Sequence, residues 1–452
     1  MNYRSLALLA ATVCAAAHTH ASGYHFGTQS VTSQSTANSS AAEAADASTL
    51  FSNPAGLTKL ESSEISATVN LVLPSVKASE AEAAYPNGTP VRGSSSDTIA
   101  SGIKFAPHVY GAYQLNERTT LGLGMYIPFG SETEYEHDSV LRYNINKLGV
   151  ASIVVEPVIA FKVNEQHAVA VGAIAQHTTA ELRQYANFGA FAGANGAADG
   201  YSKVKGSDWG YGYHLAWMWD INEQTRMGVN FRSAVRHSLR GTANWELPGA
   251  AAQANESMIR GAGYAADESA GVDIVTPESL SVHGMYQADP KWKLFGDVTW
   301  TRHSRFDRAN LKFGNTKVVA GGTSNETILN PNWRDTYKVG IGAAYQYSEP
   351  LQLRFGVAFD QSPVRSAEYR LSTMPDANRL WFSVGAKYDI TPKHTVNAAF
   401  SHLHINNSRA QVNGYCGGET AASVACVSSK TTGSAEYKSY ANIVGLQYNY
   451  KF

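Results

Sequence analysis

Apolar side chains alternate with small or polar ones along many segments of this chain. The clearest run places an apolar residue at every second position, with Trp209, Tyr211, Tyr213, Leu215, Trp217 and Trp219. The same two-residue period recurs over residues 121–129, 153–163 and 351–359. Successive side chains of an extended strand point to opposite faces of its sheet. The period therefore predicts strands that have one apolar face and one small or polar face.

Short polar turns and long irregular stretches alternate between these strands. Six turns can be recognised, at residues 115–118, 163–166, 220–223, 288–291, 347–350 and 389–392. Seven long stretches lie near residues 74–100, 131–145, 186–206, 248–275, 314–333, 364–377 and 406–435. These thirteen connections imply fourteen strands, with short turns on one rim and long loops on the other. An even strand number with that asymmetry is typical of bacterial outer-membrane barrels.

The composition and the connections together favour a membrane barrel over a soluble sheet protein. Charged residues make up only 16% of the chain, against about a quarter in soluble domains. The mature chain has no apolar run of roughly 18 residues, the length that a transmembrane helix needs. A closed barrel satisfies every backbone group in lipid, which an open sheet cannot do. We therefore predict an all-β fold, a 14-stranded antiparallel transmembrane β-barrel in the outer membrane of a Gram-negative bacterium.

The first residues have the pattern of an export signal. Arg4 supplies a positive charge, Leu6 to Ala17 form a short apolar run, and Thr19-His20-Ala21 offers a cleavage site. Cleavage after Ala17 also fits the pattern. We expect residues 1–21 to be a signal peptide.

The segment that follows the signal peptide lacks the alternation of a wall strand. Residues 22–60 are rich in Ser, Thr, Ala and Gly, with a possible short helix at 41–50 and a turn at Asn53-Pro54. About eight strands already enclose an interior that side chains can fill, so fourteen leave a wide lumen. We therefore expect residues 22–60 to form a plug, or hatch, inside a barrel of residues 61–452. A disordered periplasmic tail is the alternative.

Two cysteines remain once the signal peptide is removed. Cys416 and Cys426 lie in the last long stretch, close together in the sequence. In an exported protein such a pair predicts a disulfide that closes a loop tip, although two free thiols remain possible.

The end of the chain continues the alternating pattern. Val444, Leu446, Tyr448, Tyr450 and Phe452 are the apolar members of the last strand, and Phe452 is the last residue. A terminal aromatic residue on such a strand resembles the assembly signal of outer-membrane proteins. We expect Phe452 to be read by the barrel-assembly machinery.

Several short motifs in a fixed order resemble one family. They are Asn53-Pro54-Ala55, Pro277-Glu278, Asp289-Pro290-Lys291-Trp292, Trp300, Phe359-Asp360-Gln361-Ser362-Pro363-Val364, Arg370, Pro375-Asp376, Arg379, Trp381, Ser383 and Gly385. From Gly23 to Phe452 the chain resembles the long-chain fatty acid transporters of the outer membrane, the FadL family, which also contains channels for toluene-like hydrocarbons. The ordered set carries this resemblance, because Asn-Pro-Ala alone is common.

The resemblance implies a monomer with an N-terminal hatch and a gap in the wall, through which substrate leaves sideways into the membrane. In that family an inward kink of the third strand makes the gap, and Pro128, Phe129 and Gly130 stand at the corresponding place here. Proline cannot donate to the ladder and glycine often marks a bulge. The alternative is that Pro128 only ends its strand near the outer rim. Within the hatch, we expect Asn53-Pro54-Ala55 to hold it in place and Gly23-Tyr24-His25-Phe26 to reach the ligand.

Three classes of function fit a plugged barrel. The leading hypothesis is passive transport of hydrophobic molecules, most of all long-chain fatty acids. The alternatives are a porin for small polar solutes and an adhesin that acts through its long loops. Arg183, Arg302 and Arg305 are candidate partners for a fatty carboxylate, and Met258, Ile259 and Tyr264 could form an apolar docking groove or an ordinary loop cap.

Other partners and chemistries follow from the same reasoning. We expect contacts with outer-membrane lipids and lipopolysaccharide. The formal net charge of −1 gives no reason to expect nucleic acid. No motif singles out an enzyme, a cofactor or a metal site.

Overall fold

The computed structural model describes residues 27–192, 194–319, 322–413 and 431–452, and nearly all of them belong to one antiparallel sheet that closes on itself. Eight wall strands run without a break: β1 (Glu64–Ala84), β4 (Ile145–Lys162), β5 (His167–Asn187), β6 (Asp199–Asp220), β11 (Leu351–Asp360), β12 (Arg379–Thr391), β13 (His394–Asn413) and β14 (Thr432–Lys451).

The other six wall strands of the described chain are each interrupted once. They are β2 (Asp97–Ala100 and Lys104–Gln114), β3 (Thr119–Tyr126 and Gly130–Glu134), β7 (Thr225–Arg232 and Val235–Glu246), β8 (Glu268–Thr276 and Ser279–Gln287), β9 (Trp292–Thr301 and Ala309–Val319) and β10 (Gly322–Leu329 and Thr336–Gln346). The barrel therefore has the fourteen strands that the connections predicted.

The first and last strands close the barrel. Residues of β1 pair with β14 from Glu64↔Lys451 upward, so the wall leaves no free edge at its ends. Because lipid offers no hydrogen bonds, this closure is what allows a sheet to cross the membrane. Among the described residues, no helix is long and apolar enough to span a bilayer.

Large apolar side chains cover the outside of the wall. Tyr211 on β6 and Ile341 on β10 are 74% and 61% exposed, and their neighbours along each strand point into the lumen. Trp217, Trp292 and Tyr448 lie close to the rim with the short turns, where outer-membrane barrels carry an aromatic girdle. The alternation read from the sequence thus identifies the lipid face.

The strands are longer than the sequence pattern suggested. Residues 186–206 were expected to be irregular, yet β5 continues to Asn187 and β6 begins at Asp199. Likewise β1 extends to Ala84, well into the stretch 74–100. Beyond the apolar band the outward positions face headgroups and water, so they need not be apolar. The ladder continues there, but the alternation that revealed it does not.

Residues 27–60 fill the lumen as a plug. Within it lie the short helices Val31–Gln34 and Thr49–Ser52 and the 3-10 turns Ala41–Glu43 and Pro54–Lys59. Small side chains allow close packing against the wall: a Cβ added to Gly356 of β11 would lie 2.1 Å from the Thr36 carbonyl carbon. The Ser- and Ala-rich composition therefore belongs to a buried segment, in which small side chains allow close packing, and not to a free tail.

The remaining helices lie on the side of the long loops. They are Ala250–Ala254 and Glu256–Gly261, with 3-10 turns at Phe188–Ala192, His303–Arg305 and Ala367–Tyr369.

Several predicted features fall outside the described residues. These are the signal peptide, residues Gly23, Tyr24, His25 and Phe26, and the pair Cys416 and Cys426. Their roles remain predictions.

Candidate functional site

Asn53 ties the plug to the three wall strands β6, β7 and β8. Its side-chain oxygen accepts a hydrogen bond from the Ala55 amide at 3.1 Å, which starts the 3-10 turn at Pro54. Its Nδ2 lies 3.1 Å from the Trp217 carbonyl oxygen of β6 and 2.9 Å from Nε2 of His283 on β8. The segment Asn53-Pro54-Ala55 thus lies where it was expected to lie, at a junction of plug and wall, while its role in holding the hatch remains a prediction.

Ion pairs fix the plug at further points. Glu43 contacts Arg354 of β11 at 2.8 Å and Lys293 of β9 at 3.2 Å, and its side chain is almost fully buried. Burial alone would raise the pKa of Glu43, but the Arg354 and Lys293 cations bring that pKa down to about 2. Lys59 forms an ion pair with Asp220 at the end of β6. The plug is therefore attached by charges that the sequence pattern alone did not pair.

A cavity of about 130 Å³ lies between the plug and the wall. Its lining is mixed, with plug hydroxyls, the aromatic ring of Phe51, and Pro128 and Phe129 from the interruption of β3. Two cations, Arg232 of β7 and Lys338 of β10, also line it. A polar cavity of this kind can receive the charged end of a ligand.

Arg232 is held within a buried polar network. Its Nη1 lies 3.1 Å from Glu156 of β4, and Glu156 in turn contacts His214 of β6 at 2.5 Å. The guanidinium also lies 4.7 Å from the centre of the Phe51 ring, a cation–π contact with the plug. Arg232 is thus paired already and holds Phe51 in position.

Lys338 has a different environment. Its ammonium lies 4.6 Å from the centre of the Trp381 ring on β12. Asp297 and Asp360 are its nearest acidic influences, but within the described part of the chain neither forms an ion pair with it. The plug passes beside this pair, because a Cβ added to Gly27 would lie 2.7 Å from the Trp381 ring. Lys338 is thus a half-buried cation that faces the cavity.

A second cavity, of about 90 Å³, lies on the side of the long loops. Apolar side chains from β4 to β10 and one loop form most of its wall: Leu148, Val150, Ala180, Leu182, Val204, Leu239, Ala270, Val272, Ile274, Phe306, Ala309, Leu311, Leu329 and Met374. Thr276 of β8 lines both cavities. An apolar space therefore adjoins the polar space beside the plug.

The loop residues proposed for a docking groove have mostly structural roles. Ile259 and Tyr264 are buried, and the Tyr264 ring lies 4.8 Å from that of Trp245. Only Met258 is exposed. The cap interpretation of this loop is therefore the correct one for Ile259 and Tyr264.

The third strand is interrupted at Ile127-Pro128-Phe129 and then resumes. Its pairing with β4 ends at Tyr126↔Val154 and restarts at Gly130↔Ala151, so three residues face two and the strand bulges. Its pairing with β2 stops at Val109↔Met125, which leaves residues 104–108 of β2 outside the β2–β3 ladder. Pro128 therefore does not end its strand, and the ladder is broken on the side towards β2.

The three arginines singled out in the sequence do not line either cavity. Arg183 pairs with Glu134 at 2.9 Å, and Arg302 and Arg305 both pair with Glu278. The cations of the site, Lys338 and Arg232, were missed. Lys338 lies between Tyr337 and Val339, which face outward. If the outer face of this strand had been assigned first, the alternation would have placed Lys338 in the lumen.

Among the residues that the structure describes, no cluster of three or more His, Cys, Asp or Glu side chains could hold a metal ion.

A closed barrel with an apolar outer face, a lumenal plug and adjoining cavities defines the class of plugged transport barrels of the bacterial outer membrane. The chain belongs to the family described as outer membrane protein transport protein (OMPP1/FadL/TodX), whose model matches residues 12–452. Members of this family are transport proteins and not enzymes. With its apolar cavity, the protein is an outer-membrane barrel for the transport of hydrophobic compounds.

Individual relatives agree with this placement. The chain is 56% identical to a putative outer membrane protein of Neisseria meningitidis serogroup B, over 98% of both chains. It is 24% identical to the long-chain fatty acid transport protein of Salmonella typhi, over 79% of this chain and 82% of that one.

Solved structures share the fold. A FadL homologue from Pseudomonas aeruginosa is similar with a TM-score of 0.82 at 21% identity, over 95% of this chain and all (100%) of that chain. The toluene transporter TbuX of Ralstonia pickettii has a TM-score of 0.65 at 19% identity, over 95% of this chain and 99% of that chain.

Proposed function

We propose that this protein carries long-chain fatty acids through the outer membrane. The observation that supports the proposal most directly is the contact, at Thr276, between an apolar cavity and a polar cavity that contains Lys338. A fatty acid has the matching chemistry, with a long apolar tail and one negative end. Relatives named as fatty acid transport proteins point to the same class of ligand.

The tail supplies the affinity in this proposal. Each methylene removed from water contributes about 0.8 kcal/mol, so a tail of sixteen carbons can gain on the order of 10 kcal/mol. A water-filled pore would leave the tail hydrated. A side chain such as Leu311 or Phe306 in the second cavity instead removes it from water.

The head group distinguishes an acid from a neutral hydrocarbon. Lys338 is the cation we assign to the carboxylate, because Arg232 is already paired with Glu156. The aromatic ring of Trp381 holds the Lys338 ammonium beside the cavity without neutralising it. A toluene-like ligand has no negative charge to pair with this cation.

Release is proposed to be lateral, through the interruption of β3. Pro128 and Phe129 line the polar cavity and also belong to the segment in which the β2–β3 ladder is broken. A tail that leaves at this point would enter the membrane without passing through water.

Comparing the binding of a fatty acid with that of its alcohol separates the contribution of the head group from that of the tail. The purified protein in lipid nanodiscs is titrated with oleate and with oleyl alcohol. Lys338→Gln should weaken oleate binding by about tenfold, the value of one charge-assisted hydrogen bond, and leave the alcohol unchanged. Lys312→Gln, on an exposed lysine of β9, is the matched control and should change neither. Equal loss of both ligands, or of neither, would contradict the role of Lys338.

Uptake in cells tests the function as a whole. Cells that lack the protein should take up labelled oleate more slowly, and the plasmid-borne gene should restore the rate. Unchanged oleate uptake with slower entry of small sugars would replace the proposal with a porin. Binding of toluene without oleate would restrict transport to neutral hydrocarbons.

A further inference from the structure

The ladder between β8 and β9 is broken beside the apolar cavity. On the periplasmic side the two strands pair from Gln287↔Lys293 to Ser279↔Thr301, and the Arg302 amide donates to the Glu278 carbonyl oxygen at 3.0 Å. On the side of the loops only Ala270↔Phe313 and Gly271↔Lys312 are paired. In the described chain, no strand pairing joins residues 272–277 to residues 303–311. We name this part of the wall the β8–β9 seam.

The seam is local, because both strands remain paired on their other sides. Thr276 of β8 pairs with Val235 of β7. Ala309 of β9 pairs with Leu329 of β10. The strands are thus held in the wall while their shared edge is open, and only side chains close it.

The apolar cavity lies directly behind the seam. Val272, Ile274 and Thr276 line the cavity from β8, and Phe306, Ala309 and Leu311 line it from the β9 side. Phe306 is the large side chain at this place, and its ring packs edge-on against Trp333 at 4.9 Å. A molecule that passed between the two edges would therefore reach apolar surface immediately.

The seam begins where the lipid-facing band ends. Leu280 and Val282 of β8 and Val298 of β9 are exposed apolar residues just below it. Glu278 is the tenth residue counted back from the end of β8 at Gln287, and Pro128 is the tenth residue counted from the start of β3 at Thr119. The two interruptions thus lie the same number of residues from the strand ends at the short turns.

Charged side chains close the outer side of the seam. Glu278 accepts hydrogen bonds from Arg305 at 2.7 and 2.9 Å and from Arg302 at 3.2 Å. The carboxylate is largely covered, whereas the side chains of Arg302 and Arg305 are 47% and 34% exposed. Partly exposed ion pairs hold a geometry but open at low cost.

The broken β2–β3 ladder has the same construction. There the ion pair of Lys104 with Glu132, at 2.8 Å, crosses from β2 to β3. Two breaks in one wall, each crossed by an ion pair and each beside a cavity, are difficult to attribute to local irregularity of a single strand.

We propose that the β8–β9 seam is a second lateral portal, through which apolar molecules dissolved in the outer leaflet reach the apolar cavity, with Glu278, Arg302 and Arg305 as its latch. The occupants are molecules that prefer lipid to water, such as fatty acyl chains and small hydrocarbons. The inference deepens the proposed function by adding a route from the membrane, and it requires only that the cavity accepts apolar molecules.

The test measures access to the cavity from lipid and from water separately. Leu311→Cys places a thiol in the cavity of the full-length protein, in which Cys416 and Cys426 are changed to Ser, and the protein is held in lipid nanodiscs. One thiol reagent is N-pyrenylmaleimide, which alkylates the thiol and partitions into the bilayer. The other is a permanently cationic methanethiosulfonate, which stays in water.

Opening the latch should favour the reagent that comes from the bilayer. Glu278→Gln should raise the rate of pyrenylmaleimide labelling by about threefold or more and leave the cationic reagent unchanged, since only the latch is weakened. Glu278→Asp, which keeps the charge, should restore most of the original rate. Arg305→Gln should have the same effect as Glu278→Gln. If Glu278→Gln gives no folded barrel on unheated gels, Arg305→Gln is used in its place.

A matched control lies where two neighbouring strands are fully paired. Glu246 of β7 forms an ion pair with Lys203 of β6 at 2.8 Å, within the β6–β7 ladder and away from the seam. Glu246→Gln should change neither rate. Equal rates in the Glu278 and Glu246 variants, or an equal rise for both reagents, would overturn the portal. Because no fatty acid is used, failure of oleate binding would reject the proposed function and leave this result unaffected.

Discussion

Glu43 of the plug and Arg354 of the wall form a buried ion pair, with Oε2 and Nη1 2.8 Å apart. Lys293 approaches the other carboxylate oxygen at 3.2 Å, so one plug anion meets two wall cations. Breaking a buried pair by removing one partner costs about 3–5 kcal/mol, because the remaining charge stays uncompensated. We infer that this contact determines how firmly the plug is seated.

Neutralising Glu43 should therefore loosen the plug. Glu43→Gln keeps the size of the side chain and removes its charge, so the buried Arg354 loses its counter-ion and the half-buried Lys293 loses its partner. Single-channel recordings should show ion conductance that the unmodified protein lacks, while unheated gels still show a folded barrel. Glu61→Gln, at an exposed residue just after the plug, is the control. Conductance as low as in the unmodified protein would mean that other contacts hold the plug.

The same pair makes a prediction about pH. The pKa of Glu43 is about 2, against its usual value of 4.5. A lowered carboxyl pKa stabilises the folded form at pH values above the usual one, and this stability is lost as the pH falls towards the lowered value. Protection of the plug from proteases should thus be constant from about pH 5 to 8 and decline below about pH 4. A decline between pH 7 and 5 would mean that a group other than Glu43 controls release of the plug.

Asn53 should matter for transport more than for the barrel. Asn53→Ala removes the contacts with Trp217 and His283 and the cap on Ala55, each of the kind that costs about 1–3 kcal/mol when a buried group is left unpaired. We expect altered oleate uptake with normal amounts of folded barrel. Thr58→Ala, whose hydroxyl bonds only to Ala55 within the plug, is the control. Equal uptake in both variants would count against a role of Asn53 in the hatch.

The interruption of β3 should control lateral release. Pro128→Ala restores a backbone donor and Gly130→Val adds bulk, so the double variant should narrow the gap and reduce oleate uptake several-fold. Pro157→Ala, on the uninterrupted β4, should have no effect on uptake. Folded protein in both cases is checked on unheated gels. If the double variant takes up oleate normally, release does not pass this point.

Phe452 should act in assembly. It lies just beyond β14, its amide donates to the Ser63 carbonyl oxygen at 2.9 Å, and its ring stacks on Tyr450 at 6.0 Å. One hydrogen bond and one ring contact contribute little to a wall of this size, so deletion of Phe452 should lower the amount of folded barrel in the membrane by impairing assembly and not export. Pulse-labelling should show the unassembled chain already free of its signal peptide. Normal amounts of folded barrel would remove Phe452 as an assembly signal.

The sequence alone was sufficient to predict the wall of the barrel. Period-two alternation, as in Trp209 to Trp219, depends only on which face of each strand meets lipid, and short turns such as 163–166 depend on their own residues. Both signals are local, so they survive without knowledge of the tertiary structure. They gave the strand number, the closed barrel and the presence of a buried N-terminal segment.

Only the tertiary structure determined which residues meet in the lumen. Glu43 meets Arg354, and Asn53 meets His283, across hundreds of positions of the chain, and no local pattern pairs residues so distant. The alternation of apolar and polar residues also does not predict the lumenal contacts. Each lumenal side chain meets a particular plug or ligand atom, whereas the outer face meets one uniform solvent. For the same reason Arg302 and Arg305 proved to hold Glu278 while Lys338 faces the cavity.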